Sequence, residues 1–143
     1  PKNIFADNWK IEGCPVNGPS MDVEGDTFVA AWYTAPNDNP AVYVAFSEAP
    51  IKISESILGR VDIVVTGKDK AAVVWLESDK EKATVMLATV NADGTIKNKI
   101  EVAEVSHSRS SGFPRIAKLE DGILIAWTDY NREKGISTKF YAN

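Results

Sequence analysis

Two arginines stand out by type and spacing. Arg60 and Arg115 each precede a turn glycine, Gly67 and Gly122, by seven positions, which places them at equivalent points of a repeated unit. A guanidinium grips a carboxylate through two parallel N–H···O bonds, a geometry the lysine ammonium lacks. The matched pair therefore points to a carboxylate-bearing ligand. The alternative is that each arginine pairs with a carboxylate of the chain and ties strands together. Arg109, just upstream of Arg115 in His107-Ser108-Arg109-Ser110-Ser111, is a third cation of the same set. Asn17, in the loop Gly13-Cys14-Pro15-Val16-Asn17-Gly18, adds an amide to the ligand-binding candidates.

Acid–base chemistry has fewer candidates. Asp62 follows Arg60 by two residues and so shares its side of a strand; it is either an acid or the structural partner of Arg60. Glu77, Asp129, Tyr130 and Arg132 fall in turns expected on the same face, and Glu77, Tyr130 and Asp62 are the catalytic candidates. Cys14 would need a base to serve as a nucleophile, and His107 is the one histidine of the chain. The alternative for Cys14 is a small buried thiol. One cysteine and one histidine do not make a zinc site. The loop Asn37-Asp38-Asn39 holds a single carboxylate, and no loop has EF-hand spacing. No metal and no cofactor are expected.

These residues must be positioned by a repeat. A tryptophan recurs in one local setting, as Ala30-Ala31-Trp32-Tyr33-Thr34, Val73-Val74-Trp75-Leu76-Glu77 and Ile125-Ala126-Trp127-Thr128-Asp129. Each strand follows a glycine turn, at Gly25, Gly67 and Gly122, and each turn follows another short strand. The period is roughly 45–50 residues, that of a four-stranded propeller blade. Alternation and Asn/Asp/Gly/Pro punctuation predict strands over 18–24, 27–33, 41–47 and 51–54; over 60–65, 71–77, 84–91 and 97–105; and over 114–118, 123–127 and 136–141. No helix is predicted. The recurrence of the tryptophans favours packing between blades over a sugar-stacking platform. The mixed-charge run Asp79-Lys80-Glu81-Lys82 fits a solvated turn.

The expectation is thus an all-β chain of propeller blades, each of four antiparallel strands, in one half-propeller unit over 1–143 with repeats about 18–55, 59–105 and 113–141. Propellers close with about 4–8 blades, so three blades are half of a six-bladed ring, completed by dimerisation or by a second fragment. The third repeat lacks a fourth strand, and residues 4–11 form a spare one, expected to complete a blade of the partner. A two-fold axis would give two such closures. The formal charge of −4 argues against a nucleic-acid partner, and no apolar stretch is long enough for a membrane helix. There is no signal-peptide pattern, and Pro1 marks a processed or trimmed start.

The stretches Asn8-Trp9-Lys10-Ile11, Gly13-Cys14-Pro15-Val16-Asn17-Gly18-Pro19, Val42-Tyr43-Val44-Ala45-Phe46-Ser47, Leu58-Gly59-Arg60-Val61-Asp62 and Ser110-Ser111-Gly112-Phe113-Pro114-Arg115 resemble the BNR-repeat, sialidase-like propeller family, which includes secreted bacterial proteins. Phe46-Ser47-Glu48-Ala49-Pro50-Ile51 resembles a shortened Asp box of that family, and Val90-Asn91-Ala92-Asp93-Gly94-Thr95 a degenerate one. The resemblance implies an extracellular or periplasmic protein and an arginine cluster for the carboxylate of an acidic sugar, here Arg60 and Arg115. It also implies a tyrosine nucleophile with a carboxylate as its base. Tyr33 and Tyr130 are the tyrosines on the expected face, and neither aligns with the family nucleophile. The first function expected is glycan or small-acid recognition at the channel mouth. The alternatives are a non-catalytic interaction scaffold and an active exo-sialidase or related glycoside hydrolase.

Overall fold

The computed structural model describes residues 5–6, 8–11, 16–47, 49–55, 57–79, 82–129 and 135–143. It is all-β, with three antiparallel sheets. The first has the order β1 (Ser20–Glu24), β2 (Thr27–Thr34), β3 (Ala41–Ala45), β4 (Ile51–Ser54). The second runs β5 (Ile57–Gly67), β6 (Lys70–Ser78), β7 (Ala83–Asn91), β8 (Ile96–Val105). The third has β9 (Arg115–Leu119), β10 (Gly122–Asp129) and β11 (Gly135–Ala142), with β10 in the middle. Strands therefore occupy every predicted stretch of the three repeats. The largest boundary difference is at β5, which begins three residues early because the chain is already extended at Ile57. Two short 3-10 turns, Pro36–Asp38 and Arg109–Ser111, interrupt the connections. Of the N-terminal stretch 4–11, the described residues form no strand within this chain.

The second sheet lies between the other two, and its sequence shows why. Side chains alternate across a strand, so a strand covered on one face alternates apolar and polar residues, while one covered on both faces is apolar throughout. Ala71-Ala72-Val73-Val74-Trp75-Leu76 is of the second kind, and all six residues are buried. Val73 and Trp75 face the first sheet, where Val29, Ala31, Val42 and Val44 complete one core. Ala72, Val74 and Leu76 face the third sheet, where Ile116, Ile125 and Trp127 complete another. Full burial of each valine, leucine or isoleucine among them contributes roughly 1.5–3 kcal/mol.

The first strand of each sheet meets the first strand of the next. Asp22 on β1 accepts the backbone N–H of Val65 on β5 at 2.8 Å, and Asp62 on β5 accepts that of Ile116 on β9 at 3.1 Å. The two terminal sheets each have an outer face with exposed apolar side chains. On the first, Met21 and Val23 are 64% and 57% exposed. On the third, Ile136, Phe140 and Leu119 are 69%, 47% and 43% exposed.

Candidate functional site

Strand register fixes which residues are equivalent. Ser20 pairs with Ala31, Asp62 with Val74 and Arg115 with Ala126. Each partner directly precedes a repeat tryptophan, so Ser20, Asp62 and Arg115 share one position in the three sheets. Arg60 does not share it. It lies two residues earlier, where the β5–β6 register slips between Gly59 and Asp62. Counting back to a turn glycine misaligns the pair because the two glycines sit on opposite sides of their turns. Gly67 closes the near side, paired with Lys70, and Gly122 the far side, paired with Leu119.

The three equivalent residues form one polar chain across the sheets. Asp62, 5% exposed, accepts from Ser20 Oγ at 2.6 Å, Ile116 N at 3.1 Å and Arg115 Nε at 3.2 Å. The partner expected for it was Arg60; its partner is Arg115, because register rather than proximity in sequence sets the neighbour. Three donors from β1 and β9 converge on its two oxygens, so Asp62 joins the inner strands of all three sheets. Arg115 gives Nε to Asp62 and keeps the rest of its side chain, 72% exposed, at the solvent.

Arg60 is placed by a strained strand start. Gly59 has φ +80° and Arg60 φ +55°, a region that disfavours side chains. Asn17 holds this kink: its Nδ2 donates to Leu58 O at 3.1 Å and its Oδ1 accepts from Arg60 N at 3.0 Å. A Cβ on residue 59 would stand 2.8 Å from the Asn17 amide. Asn17 is therefore spent on the backbone of β5 and acts as a positioning residue. The kink swings Arg60 onto the 3-10 turn ahead of β9. There Nη1 donates to Ser111 Oγ at 2.6 Å, Gly112 O at 3.0 Å and Ser108 O at 3.4 Å, and the guanidinium lies 5.9 Å from the Phe113 ring centre. Ser111, 2% exposed, returns a bond to Ser108 O at 2.9 Å.

All of these acceptors are neutral. Among the described residues no carboxylate pairs with Arg60 or Arg109. Burial pushes the Arg60 pKa down from its ordinary value, and the nearby charge of Arg109 pushes it the same way. Nε and Nη2 of Arg60 have no protein acceptor among the described residues. Ser106, Ser108 and Ser110 hydrogen-bond one another along the adjoining exposed loop. This edge of the molecule is a half-buried cation fixed by neutral groups, with a second cation beside it.

Glu77 lies elsewhere. It points between the first and second sheets, where it accepts from Ser54 Oγ, from Trp75 Nε1 at 3.2 Å and from Lys99 Nζ at 2.8 Å. Burial pushes its carboxyl up, but the bonds from Lys99 and Ser54, the Lys99 charge and the Trp75 bond outweigh it and hold the pKa below its ordinary value. A carboxylate so held stays ionised and does not face Arg60. Tyr33 packs on the first core with its pKa raised by burial, and Trp9 meets its ring edge-on at 5.4 Å. Tyr130, Arg132 and Cys14 lie outside the described residues.

The tryptophans divide. Trp75 is fully buried and Trp127 is 9% exposed, each packed between sheets. Trp32 is half-buried on the outer face of the first sheet, stacked on Tyr43 at 5.9 Å and 19° and met by Phe5 at 6.0 Å. A cleft of about 660 Å³ opens beside the turn Pro36–Asp38, lined in part by Phe5, Tyr43, Asn37, Asn39 and Lys52. It includes none of the arginines, and size alone does not make it the site. Among the described residues no three His, Cys, Asp or Glu side chains cluster as metal ligands.

Residue type and spacing single out Arg60, Arg109 and Arg115 as candidates but do not show the Ser20–Asp62–Arg115 chain. A signal existed, since counting from the tryptophans rather than the glycines aligns the three. No family model matches this chain, and no curated protein matches it.

Proposed function

We propose that the chain recognises a small carboxylate-bearing ligand at the Arg60–Arg109 edge. The observation that carries this reading is the half-buried Arg60 guanidinium, held by three neutral oxygens with no acid beside it among the described residues. A cation taken partly out of water without a counter-charge is costly, and a ligand carboxylate removes that cost through the two nitrogens left without acceptors. The resemblance to sialidase-like propellers supports an acidic sugar as the ligand class and an extracellular or periplasmic setting. In the same reading the three sheets are blades of a six-bladed ring, completed by a second copy or a complementary fragment. The exposed apolar side chains on the two outer faces support that completion.

Hydrolysis is not part of the proposal. Asp62 is tied to Ser20, Ile116 and Arg115 and Glu77 to Ser54, Trp75 and Lys99, so both carboxylates serve the joints between sheets. A scaffold without a small-molecule site is the second reading, favoured by the commitment of Arg115 to Asp62.

Calorimetric titration of N-acetylneuraminic acid and its methyl ester separates the readings. Binding of the acid, lost in the ester and weakened at least about tenfold in Arg109→Gln and Arg60→Gln, is the expected result. Equal binding of acid and ester, or no effect of either substitution, overturns it. Turnover of a fluorogenic sialoside would restore the enzyme reading.

A further inference from the structure

The third sheet has three strands where its neighbours have four, and the difference leaves a specific vacancy in hydrogen bonding. Trp127 Nε1 is buried with no acceptor among the described residues, and so is the Tyr141 hydroxyl on β11. Trp75, at the same register position one sheet earlier, gives its N–H to Glu77, and Lys99 from the fourth strand β8 reaches both that carboxylate and the Trp75 ring, at 2.8 Å and 5.5 Å. The outer edge of β11 is where the corresponding fourth strand would pair. A cleft of about 400 Å³ runs there, between residues 102–104 of β8 and 137–139 of β11, and Trp127 and Asp129 line it.

The chain carries a sequence that matches the missing strand. Lys10-Ile11-Glu12 repeats Lys99-Ile100-Glu101 of β8. A positive-φ asparagine lies two residues before Lys10, Asn8 at 58°, and one residue before Lys99, Asn98 at 52°, so the two kinks differ by one position. The segment does not serve its own third sheet. Its Phe5 lies 5.3 Å from Tyr43 and 6.0 Å from Trp32, on the face of the first sheet that points away from the second, and its Trp9 meets Tyr33, on the other face, at 5.4 Å. The whole second sheet stands between it and β11.

We propose that the β11 cleft is a strand-addition site and that its occupant is the N-terminal segment of a second copy, centred on Lys10 and Ile11. A two-fold axis sets the outer face of one copy's first sheet, with Met21 and Val23, against the outer face of the other's third sheet, with Ile136 and Phe140. The same operation carries the N-terminal segment to the partner's β11, and the contact is reciprocal and closed. The added strand pairs the free edge by main-chain bonds, supplies an acceptor to Trp127 and sets Lys10 against its ring as Lys99 stands over that of Trp75. The proposal rests on the reading that the remaining sheets come from outside the chain; it is independent of what Arg60 binds.

Sedimentation equilibrium of the full chain, combined with the ¹⁵N indole resonances of its tryptophans, tests it. Lys10 is exposed, so Lys10→Glu leaves the fold intact. The expected result is a dimer whose Trp127 indole proton is protected from exchange, and a Lys10→Glu chain that dimerises at least about tenfold more weakly with Trp127 shifted and Trp75 unmoved. A chain that stays monomeric at about 100 μM overturns the proposal, and so does a dimer in which Trp127 is unaffected by Lys10→Glu. Neither outcome touches acid binding at Arg60, which the ester comparison reads separately.

Discussion

Trp75 and Trp127 stand at the same register position of neighbouring sheets and end in different surroundings. Trp75 is fully buried, with its N–H on Glu77 and a lysine against its ring. Trp127 is nearly as buried but its N–H has no acceptor among the described residues. The first junction between sheets is closed on its outer side by two fourth strands, which supply Ser54 and Lys99. The second has only β8 there. The difference teaches that the repeat is not a set of equal units. Burial of the apolar face repeats, while satisfaction of the polar groups at its rim depends on a strand that the third sheet lacks.

The sharpest way to break this comparison is truncation of the two indoles. Trp75→Ala removes a fully buried ring together with a satisfied hydrogen bond, and we expect a loss of about 3–5 kcal/mol in urea unfolding. Trp127→Ala removes a ring of the same size but also an N–H buried without a partner, which already costs the folded state about 1–3 kcal/mol. It should therefore be milder by about that amount when measured at concentrations too low for association. Equal losses would mean that the Trp127 N–H finds an acceptor in solution.

Next in size is the joint at the inner strands. Asp62→Ala leaves the buried Ile116 N–H and the Ser20 hydroxyl without an acceptor, a loss of about 2–3 kcal/mol. Arg115→Ala removes only the exposed side of the same chain of contacts and should cost under about 1 kcal/mol. If the two substitutions proved equally damaging, Arg115 would be a structural partner and would drop out of any ligand-binding set.

The kink that places Arg60 comes third. Gly59→Ala forces a side chain into positive φ and against the Asn17 amide, for about 1–3 kcal/mol. In thermal unfolding Asn17→Ala should relieve part of the contact and lose the two hydrogen bonds, so the double variant should be less destabilised than the sum of the singles. Strict additivity would show that Asn17 does not hold this turn.

Much of this was legible in the sequence for a physical reason. Strands declare themselves through local alternation and turn chemistry, and the run Ala71–Leu76 announces two covered faces by lacking polar residues. The polar contacts were not legible, because each joins residues about 40 to 50 positions apart whose meeting depends on register. Nothing local in the sequence marks the match of Asn17 to Leu58 and Arg60. Glu77 borders a turn expected near the arginines, but its side chain follows the parity of Trp75 and points between the first and second sheets. Arg60 and Arg115 align only through glycines that belong to opposite sides of their turns.

The smallest expected effect returns to the junction that Trp75 closes. Glu77 has a folded-state pKa below its ordinary value of 4.5, so its contribution to stability is fully present above that value and is lost as pH falls through the lowered one. Its ion-pair partner Lys99 is 40% exposed, so solvent screening limits the electrostatic part to about 0.5–1 kcal/mol. Glu77→Gln should cost that much at neutral pH and nothing once the wild-type carboxyl is protonated. The two unfolding curves should therefore converge as the pH falls through that lowered pKa.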